Sequence, residues 1–271
     1  MQLARLRPVS TAPQPCKICG GESPLFGVVD FHKSCIEVQN KRTSLSGIPI
    51  YYRRCKGCGF LFTDAFDDWS VEDFRTHIYN TDYQFVDPEY LDTRPIGNAG
   101  VVEKFWGELK DKIRVLDFGA GNDVMCATLR ANGFTTAVSY DPMVPERAQR
   151  PEGKFDLVTC FETIEHVPDP IASLGAIIDC ASEPGLIFYS TLVQPDDIEV
   201  SRLSWWYVGP RNGHVSIFSR QALALAWGRH GYKTVSLSPC AHIAFRTLPA
   251  YMAHLQGLAD RPEPKGGTIA A

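Results

Sequence analysis

Short apolar runs alternate with polar, glycine-containing segments through the middle of the chain. The run at 113–117 ends at Asp117 and is followed by the glycine turn 119–121, after which residues 123–132 have the pattern of a helix that stops at Gly133. An apolar strand, a glycine turn and a helix in this order are typical of the first unit of a nucleotide-binding α/β fold. Glycines suit such a turn because a backbone without Cβ can lie close to a ligand.

The alternation of strands and helices continues towards the C terminus. Further strands are predicted at 135–141, 155–161, 185–192, 232–238 and 240–248, and further helices at 101–109, 171–182 (capped by Asp169) and 220–230 (capped by Ser219). Val101, Phe105 and Leu109 lie along one face of the first of these helices, and we expect that face to pack on the sheet. The elements predict an α/β fold with a Rossmann-like, mostly parallel sheet.

The residues around the glycine turn distinguish between nucleotide ligands. The dinucleotide fingerprint G-x-G-x-x-G would need a glycine at position 124, which is Val124. Asp117 would repel a pyrophosphate but suits a cationic group such as an α-ammonium. Asp141, at the end of the next apolar run, can accept hydrogen bonds from both hydroxyls of a ribose. A ligand with an amino acid at one end and a nucleoside at the other is S-adenosylmethionine, which we predict as the cofactor.

Three segments, VLDFGAGND, SYDP and FDLVTCFETIEHVPDP, resemble the class I S-adenosylmethionine-dependent methyltransferases. The resemblance covers about residues 113–248 and implies a methyltransferase in which one of the last two strands runs antiparallel; it does not specify a substrate. The cofactor-binding residues predicted around these motifs are Asp117, Gly119, Ala120, Gly121, Asn122, Asp141, Pro142, Phe161 and Glu162. Only thirteen residues separate Asp141 from the next strand, so the usual third strand and its helix barely fit. The adenine pocket is therefore expected to depart from the family pattern, with Pro142, Met143 and Phe161 as its apolar walls.

Composition and charge argue against a nucleic-acid-binding, a membrane-spanning or a secreted protein. The chain has 271 residues, 44% of them hydrophobic, and a net charge of −4, which argues against a protein held to nucleic acid by broad electrostatics. No apolar run is long enough to cross a bilayer, and the first fifteen residues lack the hydrophobic stretch of a secretory signal. We expect a cytoplasmic enzyme whose residues 1–15 and 261–271 are disordered.

Four of the nine cysteines stand in two knuckles, Cys16-x-x-Cys19 and Cys55-x-x-Cys58. Two such pairs can supply the four thiolates of a closed, structural zinc site. Cys35 or His32, which lie between the knuckles, could take part in an alternative site, and four unliganded buried cysteines are the remaining interpretation. The predicted organisation is a disordered tail at 1–15, a small zinc-binding β module at 16–63, a linker, lid and leading helix at 64–110, a cofactor-binding domain at 111–250 and a C-terminal tail at 251–271.

The segment between the knuckles and the main domain holds two tyrosines, Tyr79 and Tyr83. The chain is similar here to zinc-bearing sugar C-methyltransferases, which combine an N-terminal pair of Cys-x-x-Cys knuckles, a tyrosine-containing lid and a class I core. The resemblance implies that both tyrosines lie over the cofactor, while ordinary packing between modules is the alternative. The chain lacks the long C-terminal domain of those enzymes, so their substrate is not carried over.

His166 follows the strand 155–161, close to where a methyl group would be transferred. A histidine is suited to remove a proton from a substrate at neutral pH, and the sugar C-methyltransferases carry a Glu-His pair here with the histidine as base. A histidine that only braces the following helix or contacts the cofactor is the competing interpretation. Glu165 is predicted to orient the imidazole or cap the helix, and His214 is the second candidate base.

The long segment 193–213 contains Trp205-Trp206-Tyr207 and ends next to His214. Aromatic faces suit sugar rings or planar substrates, and Arg211 suits a phosphate or carboxylate, so this segment is predicted to form a substrate mouth; half-buried anchors for the loop are the alternative. We therefore expect methyl transfer to a small molecule, such as a sugar, a sugar nucleotide or a precursor of a secondary metabolite or polysaccharide. An RNA base methyltransferase and a non-catalytic binding protein on the same fold are the alternatives, and the oligomeric state is open.

Overall fold

The computed structural model describes residues 12–259. Its strands are Gln14–Pro15 (β1), Glu22–Ser23 (β2), Leu25–Asp30 (β3), Pro49–Arg54 (β4), Leu61–Phe62 (β5), Val115–Phe118 (β6), Val138–Tyr140 (β7), Phe155–Cys160 (β8), Ala181–Ser190 (β9), Ser216–Ile217 (β10), Lys233–Ser236 (β11) and Ala241–Phe245 (β12). Its α-helices are Val71–His77 (α1), Tyr83–Val86 (α2), Thr93–Trp106 (α3), Val124–Ala131 (α4), Pro170–Ile178 (α5), Ile198–Ser201 (α6), Arg220–Gly228 (α7) and Gln256–Ala259 (α8). None of the helices described is both long and apolar enough to span a bilayer.

The main sheet has the order β11-β12-β9-β8-β6-β7. Strands β7, β6, β8 and β9 are parallel, whereas β12 runs antiparallel to its neighbours β9 and β11. The predicted α/β class, the mostly parallel sheet and the antiparallel strand near the C terminus are confirmed. Between β7 and β8 the chain forms only a short 3-10 turn at Pro145–Arg147, because thirteen residues leave no room for another strand and helix.

Helices cover both faces of this sheet. Val115 and Leu157 point to the face where α3 and α4 pack, whereas Leu116 and Val158 point to the face covered by α5 and α7. Strands buried on both faces read as nearly continuous apolar runs, which is why the sequence shows these strands clearly. Asp169 caps α5 and Ser219 caps α7 through side-chain oxygens that accept backbone N–H groups, as the sequence predicted.

The cysteine-bearing region forms a second, antiparallel sheet with the order β10-β5-β4-β3. Its edge strand β10 comes from the segment just after His214, more than 150 residues further along the chain than β5. Cys16, Cys55, Cys58 and Phe60 belong to the same buried cluster as the residues of α5 and α7. The knuckle region therefore packs directly on one face of the main domain.

Several expectations about packing are wrong. Gln14–Pro15, placed in a disordered tail, pairs with β2; the rest of that tail, 1–11, and the stretch 261–271 lie outside the described residues. On α3 the sequence favoured Val101 and Phe105 as the buried face, but these residues are 39% and 43% exposed while Val102 and Trp106 are buried. The helix carries two adjacent apolar stripes, and the stripe holding Trp106 is buried because that ring packs on Phe188 at 5.3 Å.

The beginning of the segment assigned to a C-terminal tail is part of the folded core. Met252 is 1% exposed and accepts a hydrogen bond from the Trp106 indole at 3.2 Å. Tyr251 donates its hydroxyl to the backbone carbonyl of Asp156 at 2.6 Å. These contacts close the α3 face of the sheet.

Candidate active site

The carboxyl ends of the parallel strands meet at one edge of the sheet, where ligands bind in open α/β folds. Asp117 lies near the end of β6 with 5% of its surface exposed, and the Thr159 hydroxyl donates to its Oδ1 at 2.8 Å. Burial raises the pKa of Asp117 to about 7, and the nearby Asp141 carboxylate adds to the shift. Since burial without a counter-ion disfavours the carboxylate, this position suits a cationic ligand group.

Asp141 links the end of β7 to the glycine turn. Its Oδ2 accepts the N–H of Gly121 at 2.9 Å, and its Oδ1 accepts the N–H of Met143 at 2.8 Å. The N–H groups of Gly119 and Ala120 donate to the Tyr140 carbonyl, so these two turn amides are already paired. Each carboxylate oxygen of Asp141 keeps a second lone pair, and its role in binding ribose stays a prediction.

Gly119 is required by the packing of the turn. Its φ of +79° lies in the left-handed region, and an added Cβ would be only 2.4 Å from the Thr163 hydroxyl oxygen. Gly121 also has a positive φ, +54°, but a Cβ there would meet nothing within 4 Å. The sequence singled out both glycines but gave no sign that Thr163 presses on the first one.

The other predicted cofactor residues lie around the glycine turn and differ in how far they are exposed to solvent. Asn122 donates its side-chain amide to the Leu91 carbonyl at 2.5 Å and so ties the turn to the segment before α3. The Phe161 ring packs edge-on against Phe188 with 5.1 Å between ring centroids, and Pro142 is exposed. The role of these residues in binding adenine stays a prediction.

The lid segment is fixed by the loop that precedes His214. Arg211 donates to the carbonyl of Ile78 at 2.9 Å and to the side chain of Asn80 at 3.2 Å. The expectation that Arg211 is free to bind a phosphate or carboxylate is therefore wrong, because its guanidinium is buried and holds the lid. Tyr79 and Tyr83 contact each other edge-on at 5.2 Å beside this anchor, and their contact with the cofactor stays a prediction.

Glu165 is fully buried in the turn that follows β8, Ile164–His166. The Tyr207 hydroxyl donates to its Oε1 at 2.5 Å, whereas its Oε2 is buried without a hydrogen-bond partner among the described residues. Burial, together with the charge of Glu162, raises the pKa of Glu165 to about 8. The protonated, neutral form is therefore favoured near pH 7 when no cation is close to it.

His166 and His214 come together from distant parts of the sequence, with 4.9 Å between their ring centroids. His214 lies beside His166 because β10 is fixed on both sides: Ser216 and Ile217 pair with β5, and the Val215 N–H donates to the Glu165 carbonyl at 2.9 Å. Burial lowers the pKa of His214 to about 4 and that of His166 well below its usual range. Both imidazoles are therefore neutral at physiological pH.

Charged groups lie near this pair, and two of them, Asp87 and Arg94, were not singled out by the sequence. Arg94 forms two hydrogen bonds with Asp87, at 2.7 and 2.9 Å, and both charges act on His214. Glu162 has a positive φ of +48°, and its carboxylate accepts the Ser190 hydroxyl at 2.8 Å. Nothing in the local pattern around Asp87 or Arg94 indicates this position, because the fold alone carries them to the sheet edge.

The four knuckle cysteines converge, with their sulfur atoms within 4.8 Å of one another. Cys16 and Cys58 are 3.6 Å apart and Cys19 and Cys55 are 3.4 Å apart, close to the roughly 3.8 Å edge of a zinc–thiolate tetrahedron. A Cβ at Gly21 would lie 3.3 Å from the sulfurs of both Cys19 and Cys55. This donor set fits a closed, four-thiolate metal site.

The alternative metal ligands lie elsewhere. The Cys35 sulfur lies 3.5 Å from the Nδ1 atom of His214, and the His32 ring bonds the Ser44 carbonyl at 2.8 Å. The expectation that Cys35 or His32 could join the knuckles is therefore not supported by their positions.

Comparison with known proteins gives the family. A family model described as a methyltransferase domain matches residues 90–237, more than half of the chain. The ubiquinone biosynthesis O-methyltransferase of Bordetella pertussis is 31% identical over 116 residues, covering 34% of this chain and 48% of the relative. That of Colwellia psychrerythraea is 32% identical over 109 residues, covering 40% and 43%. The chain thus spans about half the length of the curated relatives it matches.

Among solved structures, the magnesium protoporphyrin IX methyltransferase of Synechocystis, determined with bound S-adenosylhomocysteine, has a TM-score of 0.45 and 16% identity to this chain. The alignment covers 66% of this chain and 100% of that one. The match of the family model over the glycine turn, the acidic strand ends and the Glu-His turn agrees with the resemblance seen in the sequence. The chain belongs to the methyltransferase domain family.

Proposed function

We propose that the chain transfers the methyl group of S-adenosylmethionine to a hydroxyl oxygen of a small molecule. The observation that carries this proposal is the convergence of Glu165, His166 and His214 beside the carboxyl edge of the sheet, with ligand atoms within 4.8 Å of one another. The names of the curated relatives, which are O-methyltransferases, support oxygen as the acceptor atom.

The cofactor lies, in this proposal, across the glycine turn. Asp117 faces its cationic amino-acid end, because no cation among residues 12–259 offsets the burial of this carboxylate and Asp141 destabilises it further. Asp141 binds the ribose hydroxyls with the lone pairs that its two backbone N–H partners leave free. The remaining contacts come from the predicted cofactor residues around the turn and lid: Tyr79, Tyr83, Gly119, Ala120, Gly121, Asn122, Pro142, Phe161 and Glu162.

The acceptor lies between this cofactor and the segment Trp205–Tyr207. Trp205 and Trp206 are half-buried, and both rings contact Tyr207 with 5.4 Å between centroids. Arg211 is engaged by the lid and the Lys33 ammonium donates to the Trp205 carbonyl at 3.1 Å, so neither of these cations is free to bind an anion. A sugar or another neutral ring with a hydroxyl group fits this wall better than a free phosphate does.

The protein contributes alignment and proton removal. In-line attack of the hydroxyl oxygen on the sulfonium methyl forms the new O–C bond while the S–C bond breaks, and the hydroxyl proton must leave. Neutral imidazoles at His166 and His214 keep a nitrogen lone pair available at this place.

We also propose that Cys16, Cys19, Cys55 and Cys58 bind a structural zinc ion. Four thiolates leave no open coordination position, so this zinc would hold β5 and its neighbours in place and take no part in methyl transfer. A reducing compartment such as the cytoplasm would keep these thiols free to bind metal.

Two measurements test the proposed activity. Calorimetry with S-adenosylmethionine should show binding, and radiolabelled methyl groups should appear on hydroxylated acceptors drawn from sugars, sugar nucleotides and phenols. His166→Ala should lower kcat at least about 100-fold and change the cofactor Kd by less than about threefold, because general acid–base groups typically contribute 10²–10⁴-fold. His230→Ala, which removes a histidine bonded to Ile171 on the α5–α7 face, is the matched control. Absence of cofactor binding, or an unchanged kcat in His166→Ala, would contradict the assignment.

A further inference from the structure

Glu165, His166 and His214 have the donor set and the closeness of a metal site. Each offers one ligand atom, and these atoms lie within 4.8 Å of one another. Two imidazoles and one carboxylate with open positions are a donor set that first-row transition ions use in catalysis. The three residues lie in the turn after β8 and just before β10, and hydrogen bonds from Val215 to Glu165 and from Ser216 to Val167 hold these two elements together.

A single residue, Tyr207, orients two of the three side chains. The backbone N–H of Leu192 donates to the Tyr207 hydroxyl oxygen at 3.1 Å, which leaves the hydroxyl proton to be donated to Glu165 Oε1. The Tyr207 carbonyl lies 2.7 Å from His214 Nδ1. A carbonyl only accepts, so Nδ1 carries the proton and the lone pair of His214 is on Nε2. Carbonyl or carboxylate partners of this kind fix the tautomer of metal-binding histidines.

Two polar atoms of this cluster lack hydrogen-bond partners within residues 12–259. Glu165 Oε2 and His166 Nδ1 are both buried and have no hydrogen-bond partner among the described residues. An unpaired buried polar atom destabilises a fold by its desolvation penalty. Two such atoms in the same three-residue cluster therefore indicate that a ligand pairs with them. Two neutral imidazoles and one carboxyl group can share a cation.

The charged groups near the site are of both signs, so the donor atoms decide which cation fits. The Asp87 carboxylate is paired with Arg94, and Asp87, Arg94 and Lys33 all act on His214. Calcium and magnesium prefer sites made of oxygen ligands, whereas imidazole nitrogen suits zinc, copper, iron and nickel.

We propose that Glu165, His166 and His214 bind a divalent transition-metal ion whose open coordination position takes the acceptor hydroxyl. This inference rests on the proposed O-methyl transfer and replaces the free imidazole base with a metal that acidifies and positions the hydroxyl. The hydroxyl proton passes to solvent, the oxygen forms its bond to the methyl carbon, and the S–C bond breaks. The products are the methyl ether, S-adenosylhomocysteine and one proton, and no further reactant is needed.

Metal binding by the full-length chain tests the site without any acceptor. Mn²⁺ is a suitable probe because it avoids the soft thiolates of the knuckles. Electron paramagnetic resonance titration should show about one bound Mn²⁺ per wild-type chain, and added Zn²⁺ should raise the zinc content to one ion more than the knuckles hold. Glu165→Gln, which keeps an oxygen to accept from Tyr207, and His214→Ala should weaken Mn²⁺ binding at least tenfold. His230→Ala should bind as the wild type does.

The outcomes separate this inference from the proposed activity. If the wild type binds neither Mn²⁺ nor the additional zinc, or if Glu165→Gln and His214→Ala bind metal normally, the metal site is refuted, whatever the enzyme methylates. If metal binds as expected but no hydroxylated acceptor is methylated, the proposed O-methyl transfer fails and the site survives. Circular dichroism and retention of the knuckle zinc show whether each variant is folded. If His214→Ala does not fold, metal binding by Glu165→Gln alone tests the proposed site.

Discussion

Replacing Gly119 by alanine should destabilise the protein far more than the same change at Gly121. Both residues have a positive φ, so each alanine incurs the left-handed backbone penalty of about 1–2 kcal/mol. Only at Gly119 does the new Cβ overlap a neighbour, 2.4 Å from the Oγ1 atom and 2.8 Å from the Cγ2 atom of Thr163. Thr163 cannot move away freely, because it is a short side chain whose hydroxyl donates to the Phe161 carbonyl at 2.9 Å.

The overlap adds an overpacking cost of about 1–3 kcal/mol. We therefore expect a loss of about 2–5 kcal/mol in the free energy of unfolding for Gly119→Ala and about 1–2 kcal/mol for Gly121→Ala. Urea unfolding followed by tryptophan fluorescence measures both, with the shift in midpoint converted through a common slope.

A double-mutant cycle isolates the contact itself. Thr163→Ala removes both overlapping atoms and loses about 1 kcal/mol with its hydrogen bond. In the double variant, Gly119→Ala should cost about 1–2 kcal/mol less than it does in the wild type, since the two residues are in direct contact. Equal destabilisation by the two glycine variants, or no coupling between positions 119 and 163, would refute the reasoning.

Three further predictions concern the cofactor, the metal and the lid. Burial raises the pKa of Asp117 from 3.8 to about 7, so the stability of the free protein falls as the pH rises from 3.8 to 7. The affinity for the cationic cofactor should increase as Asp117 loses its proton. Asp117→Asn should abolish the pH dependence of the cofactor affinity measured by calorimetry. Cys19→Ser should lower the zinc content measured by mass spectrometry and the Tm together, and the exposed Cys240→Ser is the matched control that should change neither. Arg211→Ala removes the hydrogen bonds to Ile78 and Asn80. It should speed hydrogen exchange across the lid and raise KM more than it lowers kcat. Unchanged exchange would show that other contacts hold the lid.

Features that depend on neighbours in the sequence were predictable. The strand ending at Asp117, the glycine turn and the Glu-His turn each lie within one strand-loop unit, and parallel strands carry such units to the same sheet edge. The cysteine spacing likewise predicted a four-sulfur cluster, and the four residues do converge.

Features that depend on packing between distant segments were not predictable. His214 could be named as a candidate, but its place beside His166 depends on β10 joining a sheet whose other strands end at residue 62. The sequence suggested Arg211 as a substrate ligand because it shows the charge of this residue but not its hydrogen bonds to Ile78 and Asn80. The α3 face was assigned to the wrong stripe because Val101 and Val102 are both apolar, and only contact with the sheet distinguishes them.

Strand β10 also determines how short a fragment of this chain can be and still keep the site intact. A fragment limited to residues 111–250 would keep the whole parallel sheet and the His214 side chain, yet it would leave the backbone of Ser216 and Ile217 without the strand they pair with. The polypeptide that presents His214 correctly is therefore longer than the cofactor-binding domain. A fragment intended to keep His214 in place should begin before the first cysteine knuckle.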